Sequence, residues 1–271
     1  MESRDNGSVT DARFTDRVVL VTGAGTGIGR VLALSYARAG ALLVLAGRRE
    51  ALLEETATAV RAAGATCLAQ RTDVAREEDC VALVTRTRER FGRLDVLLNN
   101  AGLPGTDQPV AEMTLENWNH TIAVNVTGPM LLAREALRQA MIPARAGNIQ
   151  FFSSAAAKRV RARKAHYAVA KMGLIPLAQT LALEVGALGI RVNTLVIGLV
   201  AGDLVDTWIR RTADESGRAA DEIRAGIVAD IPLKRAIDPQ EIADLSLYLA
   251  SDAASAITGQ NINVTNGAEM R

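Results

Sequence analysis

Aromatic residues are scarce in this chain of 271 residues: four phenylalanines, three tyrosines and two tryptophans, 3% of the total. A core without large rings has to be filled by Ala, Val, Leu and Ile, which suits helices laid closely on a sheet. Cysteine is scarcer. Cys67 and Cys80 have no metal-ligand or redox spacing and are expected to be packing thiols in a reducing compartment. The two histidines, His120 and His166, also lack ligand spacing, so no metal is expected. An excess of one charge is missing too, since 31 Lys and Arg face 30 Asp and Glu for a net charge of +1. That excludes a broad basic surface for nucleic acid or an anionic membrane, and any anionic partner must be small and held locally. Nowhere do 18 apolar residues run together, and residues 1–13 are polar, without the apolar stretch of a signal peptide. A cytoplasmic protein with a flexible tail at 1–13 and no membrane partner is expected.

What is present is a balance of 49% hydrophobic and 23% charged residues, that of a globular protein long enough for one large core. From Arg17 onward, short aliphatic runs alternate with longer segments of helical period, the pattern of repeated βα units around a doubly wound parallel sheet. Seven strands are expected, at 18–22, 42–46, 66–71, 96–99, 148–153, 191–196 and 261–264. Helices are expected to begin near Gly27, Ala51, Glu77, Asn117, Ala165 and Pro239. No Pro/Gly/Ser-rich linker divides the elements, so residues 14–271 are read as one α/β domain. The stretch at about 199–230 is too long and polar for an ordinary connection and is a candidate substrate lid.

The first strand runs into Thr22-Gly23-Ala24-Gly25-Thr26-Gly27-Ile28-Gly29 and then a helix. Four glycines in seven residues let the backbone approach a pyrophosphate, and a helix N-terminus offers it free amides. The spacing is T-G-x-x-x-G-x-G rather than G-x-G-x-x-G. This turn, followed by Asn99-Asn100-Ala101-Gly102 and then Tyr167-Ala168-Val169-Ala170-Lys171, resembles the short-chain dehydrogenase/reductase family over about residues 14–268. The resemblance implies a seven-stranded Rossmann-type sheet, a nicotinamide cofactor and a homotetramer or homodimer built on long helices.

A carboxylate about twenty residues past the turn would hold the adenosine ribose of NAD and repel the extra phosphate of NADP. That place is Gly47, followed by Arg48 and Arg49, two guanidiniums suited to a 2′-phosphate, so NADP(H) is preferred and NAD(H) kept as the alternative. By the resemblance, Gly23, Gly25, Thr26, Gly27, Ile28 and Gly29 line the pyrophosphate, Asp73 and Val74 the adenine, and Asn100, Ala101 and Gly102 the adenosine side. Asn99 and Asn100 are equally suited to satisfying backbone groups at a strand end.

Tyr167 and Lys171, four apart in a helical segment, project from one face. Lowering a tyrosine pKa by about three units takes roughly 4 kcal/mol, much of which a neighbouring ammonium in a dry cleft can supply. Ser154 closes the fifth strand thirteen residues before Tyr167, the separation at which the family places its carbonyl-polarising serine, whereas Ser153 falls one short. Asn125, in Val124-Asn125-Val126-Thr127-Gly128, matches the family's fourth member, which kinks its helix and supports a proton relay. Ser154, Tyr167, Lys171 and Asn125 are thus the expected catalytic set, with Tyr167 and Lys171 also on the cofactor.

The family's usual Arg-Val-Asn-x-x-x-Pro-Gly is here Arg191-Val192-Asn193-Thr194-Leu195-Val196-Ile197-Gly198, and Gly202 stands where a threonine holds the carboxamide. Backbone at Ile197, Gly198 and Val200 is expected to take over. Between Ser154 and Tyr167, five of the seven residues Lys158 to Lys164 are basic, where the family has small apolar residues. Arg161 and Arg163 are candidate partners of an anionic substrate group; a solvated charge run is the simpler reading. His166 and Trp208 are further candidate substrate contacts, with Leu204 beside Trp208; these last two equally fit a helix packing on the fold. The expected activity is interconversion of a secondary alcohol and a ketone, with a 3-oxoacyl-thioester reductase and a non-catalytic nucleotide-sensing or scaffold protein as rivals.

Overall fold

The computed structural model describes residues 14–270; the expected tail at 1–13 lies outside the described residues. Seven parallel strands form one sheet in the order β3-β2-β1-β4-β5-β6-β7. They are β1 (Val18–Thr22), β2 (Leu42–Gly47), β3 (Cys67–Arg71), β4 (Val96–Asn99), β5 (Gly147–Ser154), β6 (Ile190–Ile197) and β7 (Asn261–Val264). Each expected strand is present within one residue at either end. A strand buried on both faces reads as a continuous apolar run, and Val18 to Val21 are all fully buried.

The helices that cover the sheet are α1 (Gly27–Arg38), α2 (Glu50–Ala62), α3 (Glu77–Phe91), α4 (Leu115–Ile122), α5 (Gly128–Ala136), the single turn α6 (Ile142–Ala144), α7 (Ala165–Val185), α8 (Asp203–Ser216), α9 (Ala220–Val228) and α10 (Pro239–Ala250). One core lies between α1, α2, α10 and the sheet, around Leu32, Tyr36, Leu45, Leu53 and Ile242. The other lies under α3, α5 and α7, around Leu20, Leu83, Leu97, Leu132, Phe151 and Leu174. Local signals set the boundaries. Acidic Glu77, Glu78 and Asp79 open α3, Arg88 and Arg90 close it, and Gly92 ends it in the left-handed conformation. At α10, Asp238 and Glu241 form a reciprocal capping box ahead of Pro239.

The stretch expected to be a polar lid folds as two helices, α8 and α9, tied by an Arg224–Asp206 ion pair at 2.8 Å. Ile209 and Ile223 are their buried anchors. Helix α7 is apolar all round, because it packs on β5 and β6 while its outer face exposes Val169, Met172 and Leu183, the last at 87%. By length and composition its stretch Ala165–Leu188 would also suffice to cross a membrane. Both cysteines are free, Cys80 buried and Cys67 half-buried.

Candidate active site

The strand order reverses at β1, whose neighbour β4 continues the sheet in the opposite direction; the crevice above such a switch point is where open α/β sheets bind ligands. The glycine turn sits there. A Cβ at Gly29 would lie 2.2 Å from the carbonyl oxygen of Gly23, and Gly23 itself has φ +67°, so both positions demand glycine. Gly27, at φ +52°, differs: a Cβ there would meet nothing within 4 Å, so this side of the turn is open. Thr26 caps α1 without a side-chain bond, so the cap residue supplies no side-chain acceptor to the first-turn amides. Gly25 packs against Leu52 and Leu53 of α2 instead. Ile28, partly buried, packs against the core.

Asn100 serves the turn: its side-chain amide donates to the Thr22 carbonyl at 2.8 Å, and the Asn100 and Ala101 amides both donate to Thr22 Oγ1 at 3.0 Å. The strand-end reading of Asn100 therefore holds for its amide group. Asn99 is buried, with neither side-chain polar atom partnered among the described residues.

At the end of β2, Arg49 donates to Thr26 Oγ1 at 3.2 Å and Arg48 is exposed. Register adds a group that sequence reasoning missed. Arg71, the last residue of β3, pairs in register with Gly47, and its guanidinium, 4.0 Å from the Glu50 carboxylate, adds a third basic group to this end of the sheet. Counting back from Asp73 to the strand end would have found it. Asp73 Oδ1 accepts from the Ala75 amide at 3.0 Å, and Val74 is buried under Gly128.

At the end of β5, three consecutive residues meet α7. The Tyr167 hydroxyl lies close enough to Ser154 for the serine to favour its ionised form, while Ser154 Oγ accepts from the Ala156 amide at 3.2 Å. Ser153 Oγ donates to the Lys171 carbonyl at 2.7 Å, and Lys171 Nζ donates to the Phe152 carbonyl at 2.8 Å. Burial of the ammonium pulls the Lys171 pKa down to about 8. Contrary to expectation, the Tyr167 pKa lies above its ordinary value: burial raises it, and Ser154 only opposes this. The reason is where the cation points, since Lys171 Nζ is engaged by a backbone carbonyl and stands 5.9 Å from the Tyr167 ring centroid. Asn125 lies in a π-helical turn, Ala123–Thr127, between α4 and α5. Its side chain exchanges hydrogen bonds with the Leu103 backbone at 2.9 and 3.3 Å and donates to the Thr121 carbonyl. A Cβ on Gly102 would fall 2.8 Å from Asn125 Oδ1 and 3.1 Å from Lys171 Nζ, so Gly102 is where β4's loop touches both residues.

Across the crevice, Val200 bridges Ile237 through the carbonyl of Leu199 and the amide of Ala201, which turns Val200's own amide and carbonyl the other way. The Gly198 amide is spent on the Val264 carbonyl, so Gly198 has no amide to offer a ligand. Ile197 ends β6 beside Ser154.

The basic segment is largely engaged. Lys158 Nζ donates to Asn263 Oδ1 at 3.0 Å, Arg159 to the Ala268 carbonyl at 2.8 Å and Arg163 to the Asp107 carbonyl at 3.2 Å, while Lys164 pairs with the Asp107 carboxylate. Within the segment only the Arg161 side chain stands exposed with no hydrogen bond or ion pair among the described residues, its carbonyl accepting from the Lys164 amide at 3.3 Å. His166 is 0% exposed and bonded to the Pro104 carbonyl, which corrects its expected role as a substrate contact. Trp208 is 43% exposed on α8, and Leu204 lies outside the residues whose side chains are described.

A doubly wound sheet with a glycine turn at its switch point and a serine, tyrosine and lysine gathered at the next strand end defines the class of nucleotide-dependent oxidoreductases. Residues 23–269 match the family described as Enoyl-(Acyl carrier protein) reductase. The chain is 41% identical to a short chain dehydrogenase/reductase of Aspergillus oryzae, over 94% of this chain and 95% of that protein. It is 36% identical to cis-4-hydroxycyclohexanecarboxylate dehydrogenase of Sinomonas cyclohexanicum, over 94% and 97%. It is 34% identical to a 3-oxoacyl-[acyl-carrier-protein] reductase of Escherichia coli, over 95% and 99%. Among solved structures, an actinorhodin polyketide ketoreductase with NADPH aligns at TM-score 0.88 and 31% identity, covering 94% of this chain and 98% of that one. An NAD+-bound xylitol dehydrogenase aligns at 0.87 and 28%, covering 94% and 99%. The chain belongs to the short-chain dehydrogenase/reductase family.

Proposed function

We propose that this oxidoreductase interconverts a secondary alcohol bearing an anionic group with its ketone, using NADP(H) in preference to NAD(H). The observation that carries the reading is the convergence of Ser154, Tyr167 and Lys171 at the end of β5, beside an open glycine turn. The open face of Gly27 and the uncapped start of α1 fit a pyrophosphate. A nicotinamide cofactor whose pyrophosphate is held by this turn would supply or accept the hydride.

In reduction, Tyr167 gives its hydroxyl proton to the substrate oxygen; in oxidation it takes it back. Ser154 Oγ donates to the same oxygen as charge develops on it. Lys171 holds the nicotinamide ribose hydroxyls and, once drawn towards them, stands as a cation near the phenol. The positive ring of an oxidised nicotinamide would add to that ammonium in favouring the phenolate, against the burial that raises the Tyr167 pKa. Asn125 holds the turn that closes the relay. Gly23, Thr26, Gly27, Ile28 and Gly29 bind the pyrophosphate, Asp73, Val74, Ala101 and Gly102 the adenosine side, and the Val200 backbone the carboxamide.

Arg48 and Arg71 are read as the 2′-phosphate clamp. Arg48→Ala is expected to lower kcat/KM for NADPH about tenfold, the loss of one charge-assisted hydrogen bond, while NADH changes less than about twofold. Steady-state kinetics with both cofactors checks this.

Arg161 is read as the anion partner, in line with the carboxylate in the name of one relative's substrate. Arg161→Gln should raise KM about tenfold for a hydroxycycloalkane carboxylate and leave the neutral cycloalkanol unchanged. Equal effects on both would end the anionic reading. The acyl-carrier thioester reading is supported by the 34% identical relative and by the exposed basic apex, which suits an acidic carrier surface. Comparing acyl-carrier thioesters with free hydroxy acids separates the two. The exposed apolar face of α7 supports a homodimer or homotetramer, and two free thiols support a cytoplasmic location.

A further inference from the structure

His166 stands next to Tyr167 in the first turn of α7, yet it faces the loop that leaves β4. Its Nε2 lies 3.2 Å from the Pro104 carbonyl oxygen. A carbonyl only accepts, so Nε2 carries the hydrogen. Nδ1 is then a bare acceptor, buried and without a partner among the described residues. Gly105 makes the approach possible: a Cβ there would fall 2.4 Å from His166 Nε2 and 2.6 Å from Thr121 Oγ1, and its φ is +64°.

The rest of the loop is held from the same two sides. Asn125 grips Leu103, and Asn117 donates to the Thr106 carbonyl and accepts from its amide at 2.8 and 3.0 Å. Arg163 donates to the Asp107 carbonyl, and Lys164 pairs with the Asp107 carboxylate. His166 is the one member of this set that is wholly buried on the catalytic helix.

We infer that His166, in its neutral form, is a positioning residue that latches the β4 loop to the catalytic helix and so fixes Gly102 and Asn125 against Lys171. Its action reaches the cofactor through Gly102, and in that respect it rests on the nicotinamide reading above. Protonating Nδ1 would leave a buried imidazolium with one hydrogen-bond acceptor, which the site resists by releasing the loop.

The charged groups acting on His166 are Lys164, which opposes protonation, and Asp107, which favours it. From α4 the neighbours are Thr121 and Asn117, which do not titrate, while Glu116 and His120 lie exposed on that helix. Burial outweighs the rest and depresses the pKa below its usual value. A histidine depressed in the folded state lends stability that is present above its unfolded pKa of about 6.5 and is lost as pH falls below it.

The test is hydrogen exchange of cofactor-free protein at residues 103–108, as protection factors at about pH 7.5 and 5.5, beside NADPH dissociation constants at both. Wild type should lose about tenfold in protection at these amides relative to the sheet, with weaker NADPH binding on the acid side. His166→Gln keeps a neutral donor for Pro104, and should stay protected at both pH values and lose less NADPH affinity on the acid side than wild type, the remainder being the titration of the 2′-phosphate itself. His166→Leu should be unprotected at both. Wild-type protection that ignores pH, or a Gln variant that keeps the wild-type acid response, would overturn the latch even if the Leu variant fails to fold. Loss of protection with unchanged NADPH affinity would confine His166 to the loop and remove its link to the cofactor. Turnover plays no part in any arm, so the outcome is separate from the fate of the proposed reaction.

Discussion

Tyr167→Phe is expected to cut turnover by about 10³-fold while NADPH still binds, since positioned acid–base groups contribute roughly 10²–10⁴. The substitution removes only the hydroxyl beside Ser154 and keeps the ring, so the β5–α7 junction stays packed. Ser153 still holds the Lys171 carbonyl and Phe152 still holds its ammonium. Single-turnover kinetics with saturating cofactor checks it. Retention of more than a tenth of the activity would mean that another group moves the proton.

Gly29→Ala should have the second large effect, on folding and cofactor binding together. The added Cβ would sit 2.2 Å from the Gly23 carbonyl oxygen and 2.7 Å from Asn100 Nδ2, and the first of these is backbone that cannot swing away. Overpacking of this kind costs about 1–3 kcal/mol even where neighbours relax, and relaxation here means opening the phosphate turn. Gly27→Ala is the matched comparison. Its Cβ meets nothing within 4 Å, so the cost is about 1 kcal/mol of left-handed backbone strain, with a methyl group placed in the open side of the turn. Thermal melts with and without NADPH distinguish the pair: Gly29→Ala melts lower in both, whereas Gly27→Ala melts near wild type alone and gains less from the cofactor.

The inner strands β1, β2 and β4 were legible because they are buried on both faces and read as short aliphatic runs, the half-buried edge strands β3 and β7 because turn signals bound them, and the spacing of Ser154, Tyr167 and Lys171 anticipated their meeting. Four features were not legible. The helices α8 and α9 are polar on most faces, with Ile209 and Ile223 as sparse buried anchors, so their period was masked. Arg71 reaches the cofactor end of the sheet through register with Gly47, a relation between strands that no local window contains. His166 is about 100° round the helix from Tyr167, which the sequence does show, but that this direction leads to the Pro104 carbonyl depends on the path of the β4 loop, which it does not. The direction of the Tyr167 pKa was missed for a related reason, because spacing places Lys171 nearby but does not reveal that the Phe152 carbonyl engages its ammonium.

The most direct test of the account is the transfer of label from NADPH carrying deuterium at both C4 positions of the nicotinamide to a cycloalkanone carboxylate, read by mass spectrometry of the alcohol. One deuterium at the carbinol carbon per cofactor oxidised, lost in Tyr167→Phe, is the predicted result. Tight NADPH binding with no label transferred to any ketone, hydroxy acid or acyl-carrier thioester would contradict it and identify the chain as a nucleotide-sensing protein.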